Sequence, residues 1–366
     1  MKDLSQLKVA IVHDWLISGG AEKVVLELHH MFPDAPVYTS YCTDELRETF
    51  DNKVVTGWLQ YFGKLRKFLI IPRIWWFSRL KLDDYDLVIS SSGNGEAFGV
   101  KTGPNTLHVN YCHTPTHYYW RHYDLYMKQP GFGVFNPLVR LGLWLLVKPL
   151  RKWDYKAAQR ADLIIANSTH IQSDIKTYYG RDSVVVFPPI DTAQFLDTPS
   201  TDRTGFLVLG RQVPQKRQDL AVQACTELNV PLLVAGNGPE NARLQKLAGP
   251  SVTFDTNVPD ETREQYMANC QAFIFTGEDD FGITPVEAMA SGTPVIAYKA
   301  GGALDYIVPG QTGEFFSEQT VESLKVALQN FDSSKYNSND IKTAAQRFSI
   351  AEFHKNLRSV LQKAVQ

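Results

Sequence analysis

The amino-acid sequence predicts an α/β protein built from two doubly wound domains. Short apolar runs alternate with segments of helical periodicity along the whole chain, a pattern typical of parallel sheets flanked by helices. The length of 366 residues suits about two domains of roughly 100–200 residues each. Residues 191–204 are rich in Thr, Asp, Pro and Ser and have little periodicity, so we interpret them as a linker between the domains.

The apolar runs predict the strands, and the segments between them predict the helices. In the first domain, residues 1–190, the predicted strands are Val9–Val12, Val37–Thr39, Leu87–Ser90, Leu107–Asn110, Leu163–Ala166 and Val184–Phe187. In the second domain, residues 205–345, they are Phe206–Leu209, Leu232–Ala235, Val252–Asp255, Ala272–Phe275 and Val295–Ala297. Predicted helices include Lys216–Leu228, Asn241–Leu247 and Ser317–Asn330. Residues 346–366 contain a last helix, and the sequence leaves open whether it packs on the second domain or back on the first.

The composition argues against several classes of protein. Lys and Arg number 37 and Asp and Glu number 39, for a net charge of -2, so binding of nucleic acid is not expected. The four cysteines lie far apart, without a C-x-x-C pair, which favours reduced thiols, a cytoplasmic location and no metal site. No apolar stretch reaches the ~20 residues of a membrane span, and the N-terminus has no signal-peptide apolar region.

In the first domain, a glycine pair and a histidine follow predicted strands. Ligands of doubly wound sheets bind at the carboxyl ends of strands, beside loops and helix N-termini. Gly19 and Gly20 come after the first strand, so the backbone could approach a ligand there, although such pairs also occur without one. His113 follows strand Leu107–Asn110 and is expected at the same edge, where a catalytic and a structural role are equally compatible with it.

In the second domain, two cations follow strand Phe206–Leu209. Arg211 lies in the loop, and Lys216 lies at the predicted start of the next helix. A guanidinium, an ammonium and a helix N-terminus could face one anion together, which predicts a diphosphate clamp. The alternative is a solvated basic turn. Gly236 and Gly238, after the next strand, are interpreted as a tight loop that faces the ligand.

Two acids follow strand Ala272–Phe275. Asp279 lies in the loop, and Glu287 lies eight residues later inside a predicted helix. One carboxylate could contact sugar hydroxyls and the other a ribose diol, while loop N–H groups near Gly282 and Ile283 could meet a phosphate between them. The same acids could instead form a metal site or a solvated loop.

Together these motifs resemble those of the retaining glycosyltransferases of family 4, and the similarity covers nearly the whole chain. Residues 19–23, Gly-Gly-Ala-Glu-Lys, are similar to the family's glycine loop, and His113 is similar to its strand-end histidine. Arg211 with Lys216 is similar to its phosphate clamp. The resemblance implies the GT-B fold, in which two Rossmann-like domains face each other.

The pair of acids, Asp279 and Glu287, also resembles the family, with one departure. Residues 279–287 lie on the family's E-x7-E motif, and Gly301-Gly302 lies on a further glycine turn. The first acid is Asp279, one methylene shorter than the usual Glu, and Glu278 is its neighbour. We favour Asp279 as the contact to the donor sugar because its spacing to Glu287 is preserved.

The resemblance implies a role for each of these residues. The first domain would bind the acceptor, with Gly19 and Gly20 on that side, and the second would bind a nucleotide sugar. The donor diphosphate would contact Arg211, Lys216, Gly282 and Ile283, the nucleotide and ribose would contact Glu287, Gly236 and Gly238, and the catalytic residues would be His113, Asp279 and Glu287. The transferred sugar would keep its anomeric configuration through front-face attack, with His113 hydrogen-bonded to it. No metal or other cofactor is implied.

Four further runs are similar to mannosyltransferases of bacterial surface-polysaccharide assembly: 13–15, 111–115, 151–154 and 166–168. This implies transfer of mannose from GDP-mannose to a lipid-linked, oligosaccharide or polysaccharide acceptor. A UDP-sugar donor is the alternative within the same activity. A sugar-nucleotide epimerase of the same fold and a catalytically silent nucleotide-sugar-binding protein are also compatible with the motifs.

Residues 64–81 predict contact with an anionic membrane surface. They hold six basic residues and no acid, interleaved with aromatic and aliphatic side chains. Each cation near such a surface contributes about 1 kcal/mol. The predicted contacts are Lys64, Arg66, Lys67, Arg73, Trp75 and Trp76. The enzyme would then be peripheral on the inner face of the cell membrane, whereas the alternative is a surface helix whose aromatic rings pack inward.

Overall fold

The computed structural model describes residues 4–17, 19–128, 130–131, 133–196 and 203–366, without the side chains of Lys64, Arg66, Lys67 and Asp260. The chain forms two compact units. One comprises Met1–Phe187 with His354–Gln366, and the other comprises Pro188–Phe353. Each unit contains one parallel sheet with helices, so the predicted α/β class with two doubly wound sheets is confirmed.

The first unit is built on a seven-stranded parallel sheet in the order β3-β2-β1-β4-β5-β6-β7. Its strands are β1 (Val9–His13), β2 (Val37–Thr39), β3 (Val54–Thr56), β4 (Leu87–Ser92), β5 (Leu107–Cys112), β6 (Leu163–Ala166) and β7 (Val184–Val185). Its helices are α1 (Gly20–Met31), α2 (Asp44–Thr49), α3 (Ile70–Phe77), α4 (Tyr123–Lys128), α5 (Asn136–Ala158) and α6 (Thr169–Tyr179). The central strands are buried on both faces, which explains why they are continuous apolar runs.

The second unit is built on a six-stranded parallel sheet in the order β10-β9-β8-β11-β12-β13. Its strands are β8 (Phe206–Leu209), β9 (Leu232–Ala235), β10 (Val252–Asp255), β11 (Ala272–Phe275), β12 (Val295–Tyr298) and β13 (Gly313–Phe316). Its helices are α7 (Ala193–Leu196), α8 (Gln218–Leu228), α9 (Asn241–Leu247), α10 (Asp260–Asn269), α11 (Ile283–Ala290), α12 (Ala303–Tyr306), α13 (Val321–Asn330) and α14 (Ser338–Ala345). The last helix of the chain is α15 (Ile350–Ala364).

The strand order places a topological switch point in each sheet. In the first unit, β2 and β3 lie on one side of β1, and the chain returns on the other side at β4. In the second unit, β9 and β10 lie on one side of β8, and the chain returns at β11. The loops at the carboxyl ends of these neighbouring strands diverge and leave a crevice, which is where doubly wound sheets bind ligands.

The ends of the second unit differ from the predicted boundaries. The predicted linker 191–204 contains helix α7, in which Phe195 is buried, and its residues 197–202 lie outside the described part of the chain. In α15, the residues from His354 onward belong to the first unit. There, His354 Nε2 lies 2.8 Å from the Glu27 carboxylate of α1. No helix among the described residues is both long enough and apolar enough to cross a membrane.

Candidate active site

Three strand ends of the first unit bring His13, Ser91 and His113 together. His13 is the last residue of β1, Ser91 is the last but one of β4, and His113 directly follows β5. The Ser91 hydroxyl lies between the two rings, with Oγ 3.1 Å from His13 Nδ1 and 2.8 Å from His113 Nε2. The ring centroids are 6.3 Å apart in an edge-to-face arrangement. The sequence predicts His113 at this edge but not its two partners.

The hydrogen-bond partners determine which nitrogen of each ring carries a proton. His13 Nδ1 is 2.9 Å from the main-chain carbonyl of Ser91, which can only accept, so this nitrogen is a donor. The Ser91 hydroxyl therefore accepts from His13 and donates to His113 Nε2. A neutral His113 then carries its proton on Nδ1, for which no described residue is a hydrogen-bond partner. Because His113 is partly exposed, the cluster presents an N–H donor to a ligand.

The two histidines have opposite pKa shifts. Burial, together with the neighbouring His13, lowers the pKa of His113 to about 3, so its ring is neutral at pH 7. Burial also opposes protonation of His13, but the attraction of the nearby Glu22 carboxylate, with smaller contributions from Asp14 and the Ser91 carbonyl, outweighs it and raises the pKa of His13. Glu22 Oε1 lies 3.9 Å from His13 Nε2. Neighbouring groups whose pKa values are pushed apart in this way are typical of acid–base and ligand-binding sites.

The glycine loop makes room for Glu22. Helix α1 begins at Gly20, and a Cβ atom added to Gly19 would lie 2.7 Å from Glu22 Oε2. A side chain at position 19 would therefore displace the carboxylate that faces His13. This is a structural reason for the glycine, in addition to the close approach of backbone and ligand that the sequence predicts.

The buried carboxylate of Asp14 holds the loop after β4. Its Oδ2 accepts hydrogen bonds from the main-chain N–H groups of Gly93 and Asn94 at 2.8 and 2.7 Å, and its Oδ1 accepts one from Ala97 at 2.7 Å. Asp14 is next to His13 in the chain, so the same strand end orders both the histidine cluster and the neighbouring loop. Sequence reasoning missed this role of Asp14.

The predicted membrane-contact residues on α3 do not all face outward. Arg73 is 2% exposed, forms an ion pair with Glu96 at 2.6 Å and lies over the Trp15 ring. Trp76 is also buried, so the prediction is wrong for Arg73 and Trp76, whereas Trp75 is half exposed. Arg73 and Trp76 are three residues apart and share the inner face of the helix. The predicted contacts Lys64, Arg66 and Lys67 lie outside the described side chains.

At the switch point of the second unit, Lys216 forms an ion pair with Asp279. Lys216 ends a 3-10 turn after β8, and Asp279 lies in the loop after β11. Thr276 Oγ1 donates a hydrogen bond of 2.8 Å to the Lys216 carbonyl, which ties the two loops together. Helix α8 begins at Gln218 and not at Lys216, because Arg217 has a left-handed φ of 48°. The predicted cation and acid thus lie side by side, two residues ahead of the helix.

Glu287 is buried in helix α11 and has a cationic partner that sequence reasoning missed. Arg263 of α10 lies with Nη2 3.0 Å from Glu287 Oε1. A buried carboxylate needs such a partner, so the burial of Glu287 explains the cation beside it. Which of the chain's 37 basic residues supplies the cation depends on tertiary packing.

Five more predicted residues lie at the same edge of the second sheet. Gly282 precedes the first residue of α11, Ile283, so both lie at a helix N-terminus that favours an anion. Arg211 is exposed in the loop after β8. An added Cβ on Gly236 would lie 2.4 Å from the Gly210 carbonyl, and one on Gly238 would lie 2.2 Å from the Gln212 carbonyl. These two glycines therefore allow the loops after β8 and β9 to pack against each other, a role beyond the predicted contact with a ligand.

A second pair of glycines supports the loop that carries Asp279. Gly301 has a φ of 63°, and an added Cβ would lie 2.4 Å from the Asp279 carbonyl. Gly302 donates its N–H to the same carbonyl at 2.9 Å. Among the described residues, no group of three His, Cys, Asp or Glu side chains could hold a metal ion. That the reaction needs no cofactor stays a prediction.

Comparison with known proteins identifies the class of enzyme. The family model "Glycosyltransferase Family 4" matches residues 18–194, and the model "Glycosyl transferases group 1" matches residues 189–348. The fold and these matches define a glycosyltransferase. The chain belongs to glycosyltransferase family 4, with the GT-B fold, as the sequence predicts.

Known proteins are similar to this chain over half or more of their length. The alpha-1,3/1,6-mannosyltransferase ALG2 of Dictyostelium discoideum is 24% identical over 440 aligned residues, covering 99% of this chain and 100% of that protein. The GDP-mannose-dependent alpha-(1-6)-phosphatidylinositol monomannoside mannosyltransferase of Mycolicibacterium smegmatis is 27% identical over 50% of this chain and 56% of its own length. The crystal structure of Anabaena Alr3699/HepE in complex with UDP has a TM-score of 0.68 at 18% identity, covering 97% of this chain and all of that one. This structural likeness supports the fold.

Proposed function

We propose that this enzyme is a retaining mannosyltransferase that transfers mannose from GDP-mannose to a lipid-linked, oligosaccharide or polysaccharide acceptor. The names of the similar Dictyostelium and Mycolicibacterium proteins support mannose as the sugar, and the second name also supports GDP-mannose as the donor. The proposed location is cytoplasmic, peripheral on the inner face of the cell membrane, and no nucleic-acid partner is proposed.

The observation that carries the proposal is the Lys216–Asp279 pair at the switch point of the second unit. At this position a cation can bind the diphosphate of a nucleotide sugar, and an acid can bind its sugar. Lys216 would contact phosphate oxygens, and Asp279 would accept hydrogen bonds from sugar hydroxyls. A donor that contacts both side chains would replace this ion pair with contacts of its own.

The remaining contacts follow from the same edge of the sheet. Arg211 and the N-terminus of α11 at Gly282 and Ile283 would contact the diphosphate, where negative charge develops as the sugar leaves. Preorganised donors stabilise such charge most strongly in the transition state. The nucleotide and ribose would contact Glu287 and the loop of Gly236 and Gly238. No metal is required in this scheme, because fixed cations and backbone N–H groups neutralise the leaving group.

In the first unit, the Nδ1–H of His113 would donate a hydrogen bond to the transferred sugar. Because the imidazole is neutral at pH 7, it would act as a hydrogen-bond donor and not as a general acid. The acceptor would bind on the side of Gly19 and Gly20. Front-face attack, with the leaving diphosphate helping to deprotonate the acceptor, would retain the configuration of the sugar.

The donor is tested by thermal unfolding with GDP, UDP and dTDP, for the wild type and for Lys216→Ala. A ligand at 100 times its Kd adds about 2.7 kcal/mol of stability, so GDP should raise the Tm of the wild type and have little effect on the variant. Lys325→Ala is the matched control, because Lys325 also forms an ion pair in the second unit, with Glu227 at 2.6 Å, but lies on α13. Stabilisation by UDP alone would overturn the choice of GDP-mannose.

Turnover tests the activity itself. We expect Lys216→Ala to lower kcat on the order of 10²–10³-fold, as for loss of one preorganised donor. A near-wild-type rate in that variant would contradict the diphosphate clamp. Conversion of the donor without an acceptor would instead indicate an epimerase, and nucleotide binding without any turnover would indicate a silent binding protein.

A further inference from the structure

The first half of helix α5 leaves large apolar side chains uncovered. Leu138, Leu141, Trp144 and Leu145 are between 53 and 68% exposed, and Phe135 in the turn before the helix is 59% exposed. Isolated exposed apolar residues are common, but soluble proteins rarely expose so many together unless the patch has a partner. The second half of the helix is different, since Val147, Leu150 and Ala157 are buried.

The apolar residues continue along the helix into a row of lysines. Positions three and four residues apart lie on one face of a helix. What we call the α5 stripe consists of Leu138, Leu141, Leu145, Lys148, Lys152 and Lys156, and all six side chains are exposed. The three leucines span about 10 Å at 1.5 Å per residue, and the first lysine lies one turn further on. The stripe therefore has an apolar end formed by the three leucines, which we call the tip, and a cationic end formed by the three lysines.

The charge of this region identifies the partner. Residues 125–153 contain five basic residues and no acid. The next acid, Asp154, is fully buried, where it accepts hydrogen bonds from Thr116, Trp120 and Tyr179. A second copy of the chain would bring the same positive charge against the stripe. An anionic lipid surface instead offers apolar chains for the tip and phosphates for the lysines, and it also suits an interfacial tryptophan.

A second exposed segment lies beside α5 in the same unit. Helices α3 and α5 both pack on the short 3-10 turn Ala97–Gly99. Helix α3 exposes Ile71 and Trp75, which are 57 and 50% accessible. The exposed apolar part of α5 thus lies near the segment 64–81, for which the sequence predicts membrane contact. Sequence reasoning did not identify α5 as part of this surface.

We propose that the first half of α5 inserts the apolar tip of the α5 stripe into an anionic membrane. The three lysines of the stripe then lie against the lipid phosphates. This proposal rests on the proposed function, in which the acceptor is linked to a lipid. Helix α5 is then the main element that brings the first unit to its acceptor, and α3 is secondary. A depth of about 5–10 Å is usual for the apolar face of such interfacial helices.

Vesicle sedimentation tests the tip. The full chain should bind vesicles of phosphatidylcholine with phosphatidylglycerol, and Leu141→Glu with Leu145→Glu should lower the partition coefficient about tenfold or more. Val326→Glu is the matched control, because Val326 is 57% exposed on α13 of the second unit. Equal binding of the double variant and the control would overturn the proposal. Changing Lys148, Lys152 and Lys156 to Gln should weaken binding only where phosphatidylglycerol is present.

Quenching by lipids with brominated acyl chains tests insertion directly. Wild-type tryptophan fluorescence should be quenched, Trp144→Phe should remove most of the quenching, and Trp75→Phe should remove less. The reverse order would show that α3 inserts and would overturn the proposal. Dimerisation that depends on Leu141 and Leu145, without vesicle binding, would also overturn it in favour of a second copy.

The same samples separate this proposal from the proposed function. The Leu141→Glu, Leu145→Glu variant should keep the wild-type stabilisation by GDP, because its substitutions lie outside the second unit. Vesicle binding without any response to GDP would count against the proposed donor alone. A response to GDP without vesicle binding would count against the membrane tip alone.

Discussion

At the scale of single residues, the hydroxyl of Ser91 controls the state of His113. It donates to His113 Nε2 at 2.8 Å and so keeps the proton of the neutral ring on Nδ1. We predict that Ser91→Ala lowers kcat about tenfold, the size expected for loss of one hydrogen bond, because the ring can then adopt the other tautomer or rotate. The measurement is kcat and KM for the donor across pH, and KM should change less than kcat.

Ser90→Ala is the matched control for this prediction. Ser90 is on the same strand and fully buried, and its hydroxyl lies 2.8 Å from His108 Nε2. The Ser90→Ala variant therefore also loses a hydrogen bond between a serine and a histidine. It should lower stability without lowering kcat. An equal loss of kcat in both variants would mean that Ser91 has only a structural role.

The sequence identifies some of these residues and not others, for a physical reason. His113, Lys216 and Asp279 follow strands, and the carboxyl ends of parallel strands meet at one edge, so strand prediction is enough to bring them to the sites. Ser91 and Arg263 matter through partners that tertiary packing selects, and nothing local marks them. The same limit explains the error at Arg73 and Trp76, since the eight-residue helix α3 carries apolar residues on more than one face.

At the scale of elements, the turn at Gly301 supports the loop that carries Asp279. We predict that Gly301→Ala destabilises the second unit by about 2 kcal/mol or more and weakens stabilisation by the nucleotide. An alanine at φ 63° costs about 1–2 kcal/mol, and its Cβ would also press on the Asp279 carbonyl. Chemical unfolding and the nucleotide-induced shift in Tm are the two measurements.

Gly310→Ala separates backbone strain from contact with the loop. Gly310 has a similar φ of 74°, but an added Cβ would have no atom within 4 Å. Gly310→Ala should lower the free energy of unfolding only by the cost of backbone strain. It should leave the nucleotide-induced shift in Tm unchanged. If both variants reduce that shift equally, the contact with Asp279 is not what supports the site.

The elements that sequence reasoning missed lie where local signals are weakest. Strands β3 and β13 are at sheet edges, with three and four residues, and β13 begins with glycine. An edge strand pairs with one neighbour far away in the chain, so its sequence need not be a long apolar run. The central strands β4 and β5 each extend two residues beyond the prediction. Those extra residues include Ser91, so a strand predicted two residues too short leaves this part of the site unidentified.

At the scale of the whole molecule, the two units differ in the groups that titrate near neutral pH. All nine histidines and all seven tryptophans lie in the segments that form the first unit. Tryptophan fluorescence therefore reports unfolding of the first unit alone. Between pH 7 and 5, proton binding by histidine therefore affects only that unit. Two buried carboxyl groups of the same unit also titrate in this range, because burial raises the pKa of Glu96 to about 7 and that of Asp154 to about 6.

The direction of that effect follows from the buried histidines. Burial lowers the pKa of His108 to about 4 and that of His113 to about 3, so in this range the unfolded chain binds protons that the folded unit does not. These two histidines therefore lower the stability of the first unit as the pH falls from 7 to 5, with His108 alone contributing about 1–2 kcal/mol. His13, Glu96 and Asp154 act in the opposite direction, because their raised pKa values give stability that is present at low pH and lost as the pH rises. Urea unfolding followed by tryptophan fluorescence at both pH values measures the balance, and His108→Gln should reduce the difference between them. An unchanged difference in that variant would show that His108 is not the source of the acid sensitivity.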